Sequence, residues 1–394
     1  MKIYEIGTGY TPIPAKISAA TEIVVEELTK AMQKQGLPVE IVDIASESRG
    51  QTQLPIREVP VPKQFSGTDV QLGIMHKLKR VVYSVALAGE LKKILRTAEE
   101  KVVLHFHNQY NLFFFLQLTP AKLREKCLIA YTNHSGIWRL DWAQIEGTIR
   151  KRYFQEAACM KKANLVFLLN EETKRNVMEH LGVSQERIVL IGNGVNTDVY
   201  CPLPAEEKAA VKEKFGLSGC RVILQVGSVY ENKGQLRAVQ YLLPLLKANP
   251  DVVYAYAGGI VDEEYQKQIS LFAQEHGLTG QVRYLGMVSP GGELNELYNT
   301  ANVTILPSRY EAFGLVAIES LSAGVPVLVD RMGPIRFGEG SVRYDPECFE
   351  ETAGYLVYNV ESELCEAARR NAVKHFSWEK IAADYTAAFM DRMG

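Results

Sequence analysis

The chain has 394 residues, with 44 basic and 46 acidic side chains and a formal net charge of -2. This length exceeds what one ordinary core supports, so we expect two domains. A hydrophobic content of 47% and a charged content of 23% are typical of a soluble globular protein. The near-neutral charge gives no argument for nucleic acid or an anionic membrane as a partner of the whole chain.

The N-terminal residues, MKIYEIGTGYTPIPAKI, lack the continuous apolar segment of a signal peptide. No stretch approaches the roughly 18 uninterrupted apolar residues that indicate a transmembrane helix. The six cysteines are scattered and include no C-x-x-C pair, which favours a reduced chain. We therefore expect a cytoplasmic protein.

Short apolar runs alternate with longer amphipathic segments along the chain. Residues 21–35 have apolar side chains at helical spacing before Gly36, and so predict a helix. The apolar runs are β-branched and aromatic, which predicts buried parallel strands and α/β architecture with right-handed crossovers. These runs cover residues 102–106, 128–132, 165–169, 222–226, 252–257, 303–306 and 325–329.

The alternation is interrupted between residues 195 and 220, where turn residues and then charges dominate. We predict a first domain over residues 1–200 and a second over 201–375, followed by a terminal helix over 376–394 that Ser377 can cap. Two α/β domains of this kind would bind a ligand in a cleft, at the carboxyl ends of their strands.

The most informative segment is SRYEAFGLVAIESLSAGVPVL, residues 308–328. It predicts a loop after a strand, then a helix over 313–322 that ends at Gly324. The free amides and the positive dipole end at such a junction suit a phosphate. Because carboxylates accept hydrogen bonds from vicinal hydroxyls, Glu311 and Glu319 can hold a sugar and a ribose with a diphosphate between them.

The pattern Glu-x-Phe-Gly-Leu-x-x-x-Glu, followed by Ala-Gly-x-Pro-Val, resembles the donor-site signature of family 4 glycosyltransferases, which have the GT-B fold. Further landmarks occur in the family's order over nearly the whole chain: LHFHN, YTNHS, IGNGVNTDVY, VGSVYENKG, LYNTANVTILPS and FSWEKIA. The resemblance implies two Rossmann-like α/β/α domains facing a central cleft. It also implies a terminal helix that crosses back toward the first domain.

The resemblance implies roles for individual residues around the transferred sugar. Glu311 would contact the donor-sugar hydroxyls, and Lys233 would pair with the pyrophosphate. The amides of Phe313, Gly314 and Leu315 would bind sugar hydroxyls and the distal phosphate.

Other residues acquire roles in the same way. Glu319 would bind the ribose, and Met287 and Val288 would line the base pocket. His134 would lie near the transferred sugar and the acceptor, as a catalytic residue together with Lys233 and Glu311. We expect no metal, because Lys233 and the helix amides can neutralise the diphosphate.

The chain departs from the family's pattern at several positions. Ser228 occupies the donor-loop position where the family usually has an arginine. Ser18 lies where the family's N-terminal turn usually has glycine, and the segment around 333–336 is also atypical. The acceptor side, which we assign to Ser18, His107 and Asn108, is the least specific part of the resemblance.

The implied reaction is transfer of a sugar from a nucleotide-diphosphate donor with retention of anomeric configuration. UDP is favoured over GDP as the carrier. We expect the acceptor to be a lipid-linked or cell-envelope glycan, with a small molecule as the other option. The alternatives are a UDP-sugar epimerase or phosphorylase on the same fold, and a non-catalytic sugar-nucleotide binding protein.

Two further motifs favour other chemistry and are set aside. The segment Ile6-Gly-Thr-Gly-Tyr resembles a dinucleotide fingerprint, but Pro12 occupies the third glycine position and Asp43 is too far along the chain to be the acidic partner. His105 and His107 face one way at a strand end, but the sequence shows no third metal ligand at a defined spacing.

Residues 70–96 combine helical apolar spacing with Lys77, Lys79 and Arg80. This pattern allows a membrane-surface helix that faces a lipid-linked acceptor. We favour a crossover helix with a solvated basic face. A basic cluster at 150–152 keeps weak peripheral membrane contact open as a second interpretation.

Overall fold

A computed structural model describes residues 1–14, 20–66, 74–311, 313–330 and 336–393. The contacts divide the chain into two compact units. Met1–Gly194 and Trp378–Gly394 form the first unit, and Val195–Ser377 form the second. Residue 200, where the sequence predicts the boundary, lies inside the second unit in this division.

The first unit contains a seven-stranded parallel sheet. Its strands are β1 (Ile3–Ile6), β2 (Val39–Ile44), β3 (Ile56–Val59), β4 (Val102–Phe106), β5 (Cys127–Thr132), β6 (Leu165–Leu168) and β7 (Ile188–Leu190), in the order β3-β2-β1-β4-β5-β6-β7. Its first seven helices are α1 (Ala20–Lys34), α2 (Ile74–Thr97), α3 (Gln109–Leu118), α4 (Ala121–Arg124), α5 (Trp142–Arg152), α6 (Phe154–Lys162) and α7 (Glu171–Leu181).

The second unit repeats this plan with six parallel strands. They are β8 (Arg221–Val226), β9 (Val252–Ala257), β10 (Val282–Tyr284), β11 (Val303–Leu306), β12 (Val327–Asp330) and β13 (Ser341–Tyr344), in the order β10-β9-β8-β11-β12-β13. Its helices are α8 (Ala205–Lys214), α9 (Gln235–Ala248), α10 (Glu263–Glu275), α11 (Gly292–Asn299), α12 (Leu315–Ser322), α13 (Phe349–Asn359) and α14 (Ser362–Phe376). Both orders are those of doubly wound Rossmann-type sheets.

Alternate side chains of the central strands enter two separate cores. In β4, Leu104 and Phe106 pack on one face with residues of α2 and α3. Val103 packs on the opposite face with Val24 and Leu28 of α1. Both faces are covered and β4 is buried along its whole length, so the sequence-based prediction of buried parallel strands is confirmed.

The last helix, α15 (Trp378–Met393), begins directly after Ser377 and belongs to the first unit. Ile381, Tyr385 and Phe389 are buried and pack into the same core as Val24 and Leu28 of α1. The second core face of the first sheet is therefore built from the two ends of the chain.

Helix α2 differs from its predicted form in the placement of its basic side chains. Lys79 is buried, and its Nζ donates a hydrogen bond to the carbonyl oxygen of Tyr10 at 3.0 Å. The Arg80 guanidinium lies over the Tyr10 and Tyr110 rings, 4.6 and 5.1 Å from their centroids. The expectation of a solvated basic face is thus wrong at Lys79. The described part of α2 instead exposes apolar side chains, namely Met75, Leu78, Val81 and Val85.

Within the described ranges, no helix has the combination of length and apolar character that crossing a bilayer requires. All six cysteines lie in these ranges and are unpaired.

Candidate active site

In the second unit, the loop after β8 is held in a fixed conformation by its glycines and its neighbours. Gly227 and Gly234 both have positive φ, 148° and 73°, where a side chain is strained. A Cβ on Gly234 would lie 2.7 Å from the carbonyl oxygen of Pro307. The Lys233 carbonyl accepts a hydrogen bond from Gln225 at 2.8 Å. The loop therefore presents Lys233 from a rigid backbone.

A second loop, after the neighbouring strand β11, contacts the first. The Arg309 amide donates to the Asn232 carbonyl at 2.9 Å, and the Asn232 side chain donates to the Tyr310 carbonyl at 3.1 Å. Lys233 Nζ lies 2.5 Å from Glu311 Oε1. Two residues predicted from separate motifs are thus an ion pair at the carboxyl ends of adjacent strands.

The ion pair of Lys233 and Glu311 retains capacity for further partners. The two side chains are 21% and 19% exposed, and the Ser308 hydroxyl donates to Glu311 Oε1 at 2.7 Å. An ammonium group has three N–H donors, so Lys233 can keep Glu311 and still donate to an anion. The carboxylate can likewise accept hydroxyl groups on its remaining lone pairs.

Helix α12 begins at Leu315, two residues later than predicted. Gly314 precedes the helix with φ 92°, a left-handed conformation that cannot belong to it. Phe313 is buried against Phe337 and Phe376. The predicted start at residue 313 is therefore wrong, because Phe313 is drawn into an aromatic cluster. The Leu315 amide remains at the helix N-terminus, and those of Phe313 and Gly314 belong to the preceding turn.

Glu319 lies on α12, where two tyrosines contact its carboxylate. Tyr298 donates its hydroxyl to Oε2 at 2.8 Å. Burial raises the pKa of Glu319 to about 6, and hydrogen bonds from Tyr298 and Tyr200 oppose that shift. The sequence-based reading missed both tyrosines, although Tyr298 lies within the LYNTAN segment that carried the resemblance.

Met287 and Val288, which are predicted to line the base pocket, lie at the same edge of the second sheet as Ser228, which occupies the family's usual arginine position. The Gly258 amide donates to the Gly286 carbonyl at 2.8 Å, which links the end of β9 to the loop that carries Met287 and Val288. Met287 is 82% exposed. Ser228 is also exposed, in the loop after β8.

In the first unit, the predicted acceptor-side residues follow β4 and β5. Asn108 caps α3 by accepting from the Tyr110 amide at 2.9 Å, and its side-chain nitrogen donates to the Tyr10 hydroxyl at 2.9 Å. His107 and His134 contact each other, with 3.1 Å between Nδ1 of His107 and Nε2 of His134. Residues 15–19, which include the predicted Ser18, and residues 331–335 lie outside the described ranges.

His134 occupies a well-supported backbone. The neighbouring Asn133 donates its side-chain N–H to Glu156 at 2.8 Å, and its amide donates to the Phe167 carbonyl at 3.0 Å. Glu156 is buried and also accepts from Trp138 Nε1 at 2.6 Å. Burial lowers the pKa of His134 well below its usual value, and the neighbouring His107 and His105 add to the shift.

Glu5, on β1, is a residue that the sequence-based reading missed. Its carboxylate is fully buried and lies 3.0 Å from His105 Nδ1 and 2.7 Å from His107 Nε2. The three side chains place potential metal-ligand atoms within 4.8 Å of one another, so the view that no third group accompanies the two histidines is wrong. The available signal was a charge inside the apolar strand IYEI.

Both parts of the chain match models of glycosyltransferase families. Residues 207–336 match the family model "Glycosyl transferases group 1", and residues 21–199 match "Glycosyltransferase Family 4". Mannosylfructose-phosphate synthase of Agrobacterium fabrum is 24% identical over 65% of the chain and 62% of its own length. D-inositol 3-phosphate glycosyltransferase of Thermobispora bispora is 29% identical over 56% of the chain and 54% of its own length. The matched region therefore spans less than two thirds of either relative.

The fold has counterparts among solved structures over the whole chain. Anabaena HepE, crystallised with UDP and glucose, has a TM-score of 0.68 at 16% identity, with 99% of each chain covered. The two family models together extend over both Rossmann-type units. Residues 21–199 therefore form a family 4 glycosyltransferase domain and residues 207–336 a group 1 glycosyltransferase domain, and the chain has the GT-B fold.

Proposed function

We propose that the protein transfers a sugar from a nucleotide-diphosphate donor, with retention of anomeric configuration. The observation that carries the proposal is the Lys233–Glu311 pair, which lies on two loops at adjacent strand ends of the second unit. The N-terminus of α12 and Glu319 belong to the element that follows one of those loops. Cation, free helix amides and carboxylates are the groups that a diphosphate flanked by two sugars requires.

In the proposed reaction, the bond between the anomeric carbon and the diphosphate oxygen breaks while the acceptor oxygen bonds to the same face of that carbon. The acceptor proton goes to the departing phosphate oxygen. Lys233 and the amide of Leu315 stabilise the negative charge that develops there. Glu311 orients the sugar through its hydroxyls. No metal is required in this scheme, because these groups neutralise the diphosphate.

UDP is the carrier that we favour over GDP. HepE, which has a similar fold, was crystallised with UDP and with UDP-glucose. Met287 and Val288 would contact the base, Glu319 would bind the ribose hydroxyls, and Ser228 would supply a hydroxyl donor in place of a second cation. For the acceptor we propose a lipid-linked or cell-envelope glycan, held near His134, His107 and Asn108 of the first unit.

The apolar side chains that α2 exposes support weak contact with the inner face of a membrane, which suits a lipid-linked acceptor. Co-sedimentation with anionic phospholipid vesicles tests this part. The L78S/V81S variant should sediment less than the wild type, and equal sedimentation would remove the membrane from the proposal.

A panel of UDP- and GDP-sugars separates the proposed activity from its alternatives. A transferase without acceptor should hydrolyse its donor slowly and release UDP, with the α-anomeric sugar as the first product of an α-linked donor by proton NMR. An epimerase would change the sugar and release no nucleotide. A non-catalytic binding protein would bind a sugar nucleotide without changing it. A bound sugar nucleotide that is neither hydrolysed nor epimerised on long incubation would contradict transfer.

A further inference from the structure

Six polar side chains form one continuous chain of contacts inside the first unit. From one end the order is Tyr385, Thr132, His105, Glu5, His107 and His134. Successive contacts measure 3.2, 2.7, 3.0, 2.7 and 3.1 Å between the hydroxyl, ring nitrogen and carboxylate atoms. The side chains come from α15, β5, β4, β1 and the segments after β4 and β5. The series of contacts ends at His134, which the proposed function places near the acceptor.

Glu5 sets the direction of the hydrogen bonds in this chain. Burial favours its neutral form, but the charge interactions and hydrogen bonds of His105 and His107 outweigh burial and lower its pKa to about 2. An ionised carboxylate only accepts hydrogen bonds. The nitrogens that face it, Nδ1 of His105 and Nε2 of His107, must therefore both carry protons.

The protons of the next two groups then follow without choice. The His107 side chain is fully enclosed and stacks on the His134 ring, with 5.4 Å between the centroids, and burial of this kind favours the neutral imidazole. A neutral imidazole has one donor and one acceptor nitrogen. Because Nε2 of His107 donates to Glu5, its Nδ1 must accept, and the partner at 3.1 Å, Nε2 of His134, must donate.

The other arm of the chain satisfies the same logic. His105 donates from Nδ1, so its Nε2 can accept from the Thr132 hydroxyl at 2.7 Å. Thr132 in turn can accept from the Tyr385 hydroxyl at 3.2 Å. In this arrangement the protons of both arms point toward Glu5. A metal on Glu5, His105 and His107 would require the two protons that face Glu5 to be absent, so the two arrangements differ in a measurable way.

We propose that Glu5 and His107 are positioning residues that hold His134 in its Nε2–H tautomer, with Nδ1 left as a hydrogen-bond acceptor for a substrate hydroxyl. The part of this inference that concerns the substrate rests on the proposed function. The tautomer itself does not, and it can be observed in the protein without any substrate.

The first experiment is proton–nitrogen correlation NMR of the full chain with ¹⁵N-labelled histidine at pH 7, without added metal and in the presence of a chelator. Signals of the seven histidines are assigned by single substitution. We expect His105 as the Nδ1–H tautomer and both His107 and His134 as Nε2–H. A protonated Nδ1 on His134, or unprotonated nitrogens on the Glu5 side of both other rings, would overturn the proposal.

Glu5→Gln tests whether the carboxylate orders the chain. Oε2 of Glu5 faces both rings, 2.9 Å from His105 Nδ1 and 2.7 Å from His107 Nε2. A glutamine oxygen at this position still accepts from both rings, whereas a glutamine nitrogen there donates to them and should change the tautomer of His107. If His107 changes, His134 must change with it. A change in His107 without a change in His134 would contradict the proposal.

His107→Phe and Tyr385→Phe form a matched pair at opposite ends of the chain. His107→Phe removes the hydrogen-bond acceptor for His134 Nε2–H. The ¹⁵N signals of His134 should then show a mixture of tautomers. Turnover should fall by about 10-fold or more with little change in KM. Tyr385→Phe should leave both His134 and turnover unchanged. If the wild type transferred no sugar but the NMR pattern held, the proposed function would fail and the tautomer assignment would stand.

Discussion

The central strands of the two units have the same order, but the pKa of one glutamate in each unit shifts in the opposite direction. In the first unit, Glu5 is enclosed in a strand, and two histidines outweigh the effect of burial and lower its pKa to about 2. In the second unit, Glu319 lies on a helix beside two tyrosine hydroxyls, and burial raises its pKa to about 6. The partners therefore decide the sign of the shift: imidazole N–H groups favour the anion strongly, and phenols do so too weakly to offset desolvation.

This difference separates two tasks. A carboxylate that is always ionised and fully enclosed can order the side chains around it. A carboxylate on a helix at the sheet edge, held by two hydroxyl groups, can exchange those hydroxyls for others. We therefore assign positioning to the buried charge of the first unit and ligand binding to the charges of the second.

The largest effect on activity should come from the second unit. Lys233→Ala removes the cation that we propose stabilises the leaving diphosphate, so turnover should fall about 100-fold or more, and donor affinity should fall less. Steady-state kinetics with a donor found in the nucleotide-sugar panel measure both. Lys212→Ala is the control, because Lys212 donates to the Cys220 carbonyl on the same unit. Wild-type kinetics in Lys233→Ala would remove the leaving-group role.

Glu5→Gln should cause the largest loss of stability. The pKa of Glu5 falls from 4.5 to about 2 on folding, so the ionised group stabilises the native state by roughly 3 kcal/mol at pH 7. That contribution is present above pH 4.5 and is lost as the pH falls toward 2. Urea unfolding of wild type and variant, with each transition fitted separately, should show a difference that narrows at acid pH. A difference independent of pH would contradict the assignment of an ionised Glu5.

Glu319→Gln should show the opposite sign. The pKa of Glu319 rises from 4.5 to about 6 on folding, so the native state binds more protons in this window and loses stability as the pH rises. The loss amounts to about 2 kcal/mol between pH 4.5 and 7. Glutamine does not titrate, so the variant does not lose this stability. Its free energy of unfolding, relative to that of the wild type, should therefore increase by that amount between pH 4.5 and 7. If the stability of the variant relative to the wild type instead decreased as the pH rose, the contrast between the two carboxylates would be wrong.

Two glycines with left-handed backbone allow a smaller test of the same contrast. Gly314 has φ 92°, and a Cβ there would lie 3.2 Å from Leu306 and Phe337. Gly182 has φ 67° with nothing within 4 Å. Both alanine variants strain the backbone by about 1 kcal/mol or more, but only Gly314→Ala should also weaken UDP binding. Equal UDP affinity in the two variants would separate the α12 turn from the donor site.

The second unit's candidate residues could be predicted from the sequence because each lies in a local motif. Glu311, Gly314 and Glu319 fall within one strand-loop-helix segment, and the loop of Lys233 follows another strand. The start of α12 could not be predicted, because Phe313 packs with Phe337 and Phe376, which are distant in the chain.

The series of hydrogen-bonded side chains in the first unit could not be predicted from the sequence for a related reason. Glu5, His105 and Tyr385 are separated by most of the sequence and meet only when β1, β4 and α15 assemble. His134 was assigned by resemblance, and nothing local to it indicates Glu5. The burial of Lys79 against Tyr10 is likewise a tertiary contact that helical periodicity does not contain.

Calorimetric titration of UDP into wild type and Glu319→Ala tests the donor site most directly. We expect UDP to bind the wild type and to bind the variant about 10-fold more weakly, because the carboxylate no longer accepts the ribose hydroxyls. Glu296→Ala, which removes an exposed glutamate paired with Lys214 in the same unit, should bind as the wild type does. Unchanged UDP affinity in Glu319→Ala would contradict the ribose role and, with it, the placement of the donor along α12.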